Sequence, residues 1–174
     1  SATDGWLVYH SVAENRDGLQ RFNGTTWEYN NLTIGECQAI SSLVARAPDD
    51  VWAVGSYQTG CNSASPQPRT GALLHFDGVT WSSQPTPNNV LANGIALLDN
   101  NEMWVVGPAG AIYRYDFSIP AWTKQSSPVT LNLLGISMLD STHGRIWAED
   151  GTILALHAPE QGPAFSLYLP AVRR

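Results

Sequence analysis

At 174 residues the chain is long enough for a sizeable core; its apolar content of 43% is ordinary, while charged residues make up only 14%. The net charge of −6, with nine Lys and Arg scattered except at Arg173-Arg174, argues against a phosphate-binding surface, so no nucleic-acid partner is expected. No apolar run approaches the roughly 18 residues of a bilayer-crossing helix, so a membrane-spanning chain is not expected either. With no initiator Met and no basic-then-apolar leader, Ser1 is expected to begin a processed or truncated chain.

Taken in order, the chain repeats itself. Trp6-Leu7-Val8-Tyr9 is followed by Trp52-Ala53-Val54-Gly55, Trp104-Val105-Val106-Gly107 and Trp147-Ala148-Glu149-Asp150, so the leading tryptophans fall 46, 52 and 43 residues apart. A second element, Asn23-Gly24-Thr25-Thr26-Trp27, recurs as Asp77-Gly78-Val79-Thr80-Trp81. It returns as Asp116 to Trp122 with two extra residues, and then with Phe165 in place of Trp. Periods of this length mark a repeat architecture.

Each repeat reads as strands alone. The Ile- and Leu-rich runs Ala39 to Val44, Ile95 to Leu98 and Leu133 to Leu139 each precede a turn of Asp, Asn or Gly and then a tryptophan strand. An alternating strand follows, such as Ala72 to Phe76 or Ala111 to Tyr115, and then a strand opened by Trp27, Trp81, Trp122 or Phe165. Strands bounded so closely by turn residues indicate all-β structure, and no segment sustains a helical period. Four antiparallel strands per repeat of this length describe a β-propeller blade. The blades fall near residues 1–32, 33–88, 89–129 and 130–171, the first without its inner strand. Because blades bury both faces on their neighbours, an incomplete ring exposes apolar surface. We therefore expect a half-ring, completed by a second copy, a protein partner or a longer chain; a self-contained four-bladed ring is the alternative.

Cys37 and Cys61 are the two cysteines. If the hairpin turning at Pro48-Asp49-Asp50 keeps regular register, they oppose each other at its far end, within disulfide reach. A disulfide implies an oxidising, exported location: extracellular, cell-surface or periplasmic. No His or Cys supplies further ligands at zinc spacing, so no metal is expected, nor any cofactor. The recurring tryptophans read as packing between blades rather than a sugar-stacking platform. His75 and His157 are placed with Tyr115 and Phe22 of other repeats and read as structural, and the repeated Asp77, Asn23 and Asp116 as turn caps. Glu149 and Asp150 adjoin in a turn without an identifiable second carboxylate, so no catalytic residue is assigned.

The loops after the second strand differ most: those from His10 to Gly18 and from Gln58 to Thr70 are expanded. Binding concentrates on expanded loops of a rigid scaffold, and Tyr9, Glu14, Arg16, Tyr57 and Arg69 are the candidate contact residues; tolerated, solvated loops are the other reading.

Trp-Ala-Val-Gly with Asp-Gly-x-Thr-Trp resembles the repeats of bacterial exported β-propellers, including the photosystem-assembly-factor-like family and the wider Asp-box group. Asp77 abuts Gly78, one residue short of the strict Asp-box. Sialidases share that box and add an arginine triad; Arg16, Arg21, Arg46, Arg69, Arg114 and Arg145 show no grouping by repeat position, so that activity is not carried over. The ending, Leu167 to Arg174, is similar to Tyr-Leu-Pro tails of exported proteins of filamentous bacteria, which implies a true C-terminus. The leading expectation is a non-enzymatic scaffold that binds a protein or a glycan. The alternatives are part of a sialidase-like glycoside-processing enzyme and an assembly factor for a membrane complex.

Overall fold

The computed structural model describes residues 3–30, 32–99, 101–157 and 166–168. Phe165 and the tail from Leu169 to Arg174, both used above, lie outside these residues, as does the side chain of His157.

Among the described residues, fifteen strands form four antiparallel sheets in chain order. The first sheet holds β1 (Gly5–Ser11), β2 (Arg16–Phe22) and β3 (Trp27–Asn30). The second holds β4 (Ala39–Ala47), β5 (Asp50–Tyr57), β6 (Thr70–Phe76) and β7 (Trp81–Gln84). The third comprises β8 (Gly94–Leu98), β9 (Glu102–Val106), β10 (Ile112–Asp116) and β11 (Ala121–Lys124). The fourth comprises β12 (Leu133–Met138), β13 (Gly144–Ala148), β14 (Ile153–His157) and β15 (Ser166–Tyr168). The fold class is all-β, built of four-stranded β-propeller blades, and the described part of the first sheet has three strands. No described helix is long and apolar enough to cross a membrane.

Two compact units are present, Ser1–Leu91 and Ala92–Arg174. In the first, Leu19 and Leu32 pack with Ile40, Ala53 and Leu74, flanked by Trp6, Val8 and Trp81. In the second, Trp104, Val106 and Ile112 meet Leu133, Ile136, Ile146 and Leu154. Alternation along each strand sends these residues to one face of their sheet.

The turns that lead into the last strand of the first two sheets follow from one side chain each. Asn23 Oδ1 accepts the N–H groups of Thr25 and Thr26, both at 3.0 Å. Asp77 Oδ1 accepts those of Val79 and Thr80 at 2.9 and 2.8 Å. The following glycines, Gly24 and Gly78, sit at φ +94° and +93°, a region that penalises any Cβ. Asp116, Asp140 and Asp150 accept backbone N–H groups in the same way. Hydrogen bonds to the ionised form hold the carboxyls of Asp77, Asp116, Asp140 and Asp150 below the usual range.

Two sheets share a polar device around the leading tryptophan, and the first sheet keeps its acid–base pair without a hydrogen bond to the Trp6 indole. In the second sheet Asp50 Oδ1 accepts the Trp52 indole N–H at 2.9 Å and meets His75 Nε2 at 2.9 Å. His75 lies directly across from Trp52, the rings stacked 4.2 Å apart. In the third, Glu102 accepts from the Trp104 indole at 3.3 Å and pairs with Arg114, which lies across from Trp104. In the first, Asp4 pairs with Arg21 at 2.7 Å, and Arg21 lies across from Trp6. The paired carboxylates raise the pKa of both guanidiniums. These registers correct two expectations. The residues equivalent to His75 are Arg21 and Arg114, not Phe22 and Tyr115, which stand one position further along. Two arginines therefore do share a repeat position, and each is bound to an acid of its own sheet.

The tryptophans do not all play one part. Trp52 and Trp104 are 7% and 1% exposed, whereas Trp27 and Trp147 are 46% and 44% exposed.

Candidate functional site

Cys37 and Cys61 are joined, with Cα atoms 6.3 Å apart. Regular hairpin register is not what brings them together. Bulges between Ile40 and Ser42 and between Ala45 and Ala47 shift the β4–β5 pairing, so Ile40 faces Gly55 and Ala39 faces Ser56. Beyond the ladder Gln58 N–H donates to the Glu36 carbonyl, and Cys37 adopts a left-handed φ of +44°. The chain then turns at Thr59-Gly60, where Gly60 N–H donates to Glu36 Oε2 at 2.6 Å, and this turn brings Cys61 back to Cys37.

The disulfide cysteines help to line an open depression of about 390 Å³, together with Glu14, Arg16, Thr33, Gly35, Glu36 and Asn62. Both expanded loops thus contribute to one place. From the first loop, Arg16 Nε donates to Glu14 Oε2 at 2.6 Å and Nη1 to Thr33 Oγ1 at 3.1 Å. Asn15, at φ +48°, donates to Cys37 Sγ at 3.4 Å. Exposed ion pairs of this kind add little stability, but they hold charged groups in fixed places.

The five candidate contact residues divide three ways. Glu14 and Arg16 line the depression. Tyr57 lies against its wall, its ring so close to Gly35 that a Cβ there would come within 2.4 Å of Cδ2. Arg69 is occupied as a clamp, donating to Ser56 Oγ at 2.9 Å and to the Cys37 carbonyl at 3.0 Å. Tyr9 stands apart on β1, edge-on to Tyr29 with ring centroids 5.5 Å apart.

Gln38 and Asp17, which sequence reasoning missed, hold this region together. Gln38 is buried, and its Nε2 donates to the Asp17 and Leu32 carbonyls at 2.5 and 3.0 Å. Its Oε1 accepts from Ile34 N–H at 3.0 Å. Asp17 Oδ2 receives Ile40 N–H at 2.8 Å, and Oδ1 meets His10 Nδ1 at 2.8 Å. The first two sheets are thereby stapled beside the depression. No pattern in a single sequence distinguishes such a glutamine from an exposed one.

A second depression, of about 340 Å³, is lined by Asp4, Gly5, Trp6, Leu43 and Ala45 to Pro48. Its charged groups are already paired, Asp4 with Arg21 and Arg46 with Asp50. Among the described residues no group of three His, Cys, Asp or Glu is placed to hold a metal ion.

A structure described as YCF48 bound to D1 peptide superposes with a TM-score of 0.64 at 18% identity, over 100% of this chain and 52% of that one. In fold, the chain is similar to YCF48. YCF48 from Cyanidioschyzon merolae superposes with a TM-score of 0.52 at 12% identity, over 87% of this chain and 50% of that one. The chain thus spans about half the length of these structures. No family model matches, and no curated protein does.

Proposed function

We propose that the chain is a non-enzymatic, exported protein-binding module of the assembly-factor kind, which takes a peptide segment of its partner in the depression lined by Cys37 and Cys61. The observation that carries this reading is the convergence of the two expanded loops on that one polar depression, fixed by the disulfide and the Arg16–Thr33 bond. Pre-ordered walls reduce the entropy lost on binding. The bound D1 peptide of the YCF48 structure supports a peptide as ligand. The resemblance of the repeats to photosystem-assembly-factor-like propellers agrees. A disulfide suits an exported protein. A glycan remains the less favoured ligand, since the exposed aromatic Tyr29 and Trp27 lie outside the lining of the depression.

The test begins with peptides selected from a random displayed library on the oxidised protein, followed by calorimetric titration. Arg16→Glu should weaken the selected peptides at least about tenfold, the loss expected for reversing one charge in a desolvated contact. Lys124→Glu, on β11, should leave them unchanged. Equal binding to Arg16→Glu and to the unaltered protein would remove the depression from the account.

A further inference from the structure

The chain holds two Asn-Gly bonds, Asn23-Gly24 and Asn93-Gly94. Such a bond carries its own chemistry: no Cβ on the glycine hinders the approach of its nitrogen to the asparagine Cγ, and a five-membered imide ring can close. The fold treats the two bonds differently. Asn93 Nδ2 donates to Asn132 Oδ1 and to the Leu133 carbonyl, both at 2.8 Å. Gly94 is buried at the start of β8, where a Cβ would stand 2.7 Å from Gly135 Cα. The two acceptors and the close backbone hold Asn93 against the rotation that ring closure needs.

Asn23, Gly24 and Thr25 are exposed, in the turn between β2 and β3. Asn23 Oδ1 already accepts the N–H groups of Thr25 and Thr26, and two donors on this oxygen stabilise the negative charge that develops there when Cγ is attacked. The other end of the amide is tied to β3, since Nδ2 donates to Glu28 Oε1 at 2.6 Å. The second sheet makes the same turn with Asp77, and there Ser82 follows the tryptophan in the place of Glu28. In neither sheet do an acidic cap and an acid after the tryptophan occur together.

We propose that Asn23 is a site of spontaneous deamidation, with water as the only co-reactant, and that its conversion loosens β3. The Gly24 nitrogen bonds to Asn23 Cγ, the Cγ–Nδ2 bond breaks, and ammonia leaves with the proton that Gly24 gives up. Water then opens the imide at one of its two carbonyls and restores the Gly24 N–H, leaving aspartate or isoaspartate. Aspartate keeps the acceptor of the cap, as Asp77 does, but sets a second carboxylate against Glu28 where a donor stood. Isoaspartate routes the main chain through the former side chain and loses the cap. Either product gives up the bond from Asn23 to Glu28. The chemistry is independent of any ligand in the Glu14–Arg16 depression.

Incubation of the folded, oxidised protein in oxygen-18 water at mildly alkaline pH, followed by peptide mapping, tests the site. The peptide carrying Asn23 should gain one labelled carboxyl oxygen, with aspartate and isoaspartate told apart by electron-transfer fragmentation. The peptide carrying Asn93 should keep its amide. Conversion at Asn93 as fast as at Asn23 would overturn the proposal. So would an unlabelled Asn23 after a free peptide of residues 20–29 has fully converted. The loosening is tested with Asn23→Asp, which supplies one product directly. Amide exchange over Trp27 to Asn30, read by NMR, should quicken at least about fivefold, the scale of one lost surface bond to a charged group. Glu28→Ser in the same chain should restore it, and unchanged exchange in Asn23→Asp would overturn this part. The labelling needs no variant, so it decides the site even where a variant fails to fold.

Discussion

The carboxylate of Asp50 receives the indole N–H of Trp52, two residues on along β5, at 2.9 Å. The same oxygen meets His75 on the next strand, and Arg46 lies 3.3 Å from the other. One acid thus satisfies a largely buried ring N–H and fixes a cross-strand base. Asp50→Ala should lower stability by about 2 kcal/mol, toward the middle of the range for hydrogen bonds to charged groups. Glu102→Ala should cost more, about 3 kcal/mol, because Glu102 is buried and its loss leaves Arg114 uncompensated. Urea unfolding measures both, and an equal, negligible effect would show that the device is ornamental.

Acid should weaken the fold through its turns. The carboxyls of Asp77, Asp116, Asp140 and Asp150 titrate below their unfolded values, so folding favours their ionised form. Their contribution is fully present above the ordinary carboxylate pKa of about 3.9 and is lost as pH falls through the depressed folded values. Asp77→Asn keeps the acceptor that Asn23 uses in the first sheet. It should leave the urea midpoint at pH 7 little changed and make the fall toward pH 2 shallower. Asp77→Ala should lower the midpoint at neutral pH.

Gly55 closes the Trp-Ala-Val-Gly motif for a reason of space. The bulge in β4 brings the Ala39 carbonyl so near that a Cβ on Gly55 would stand 2.0 Å from its oxygen, with Ile40 Cα at 3.0 Å. Backbone cannot step aside as a side chain can. Gly55→Ala should therefore cost about 2 kcal/mol, within the usual penalty for overpacking, read from thermal or urea unfolding. A neutral result would place the bulge elsewhere.

Reduction should act on stability and site together. Cys37 and Cys61 are separated by 24 residues, and a loop of that length is worth about 3 kcal/mol in the chain-entropy account. Cys37→Ser/Cys61→Ser should lower the urea midpoint accordingly. It should also release the Gln58 to Thr70 loop, raising its amide exchange while β5 stays protected. Unchanged exchange in that loop would mean that Arg69 and Glu36 alone suffice to hold it.

The strands were legible because turn residues punctuate them at short intervals and the tryptophans repeat. The disulfide pair was legible too, but the geometry assumed for it was not, because bulges leave no mark in the pattern of β4. The acid–tryptophan–base device was visible and overlooked. Asp4, Asp50 and Glu102 each stand two residues before a tryptophan, and Arg21-Phe22, His75-Phe76 and Arg114-Tyr115 repeat a base before an aromatic ring. Aligning His75 with the aromatic residues slipped the strand by one position and hid the base. Among the five candidate contact residues, Glu14 and Arg16 meet in one depression; the turn at Gly60 that completes it depends on Glu36, whose role no local pattern reveals.

Hydrogen-exchange mass spectrometry on the oxidised protein, with and without a library-selected peptide, tests the binding account most directly. The account predicts slowed exchange in Glu14 to Arg16, Thr33 to Cys37 and Cys61 to Asn62, with β8 to β14 unaffected. Slowed exchange confined to other segments, or none under saturating peptide, would contradict it.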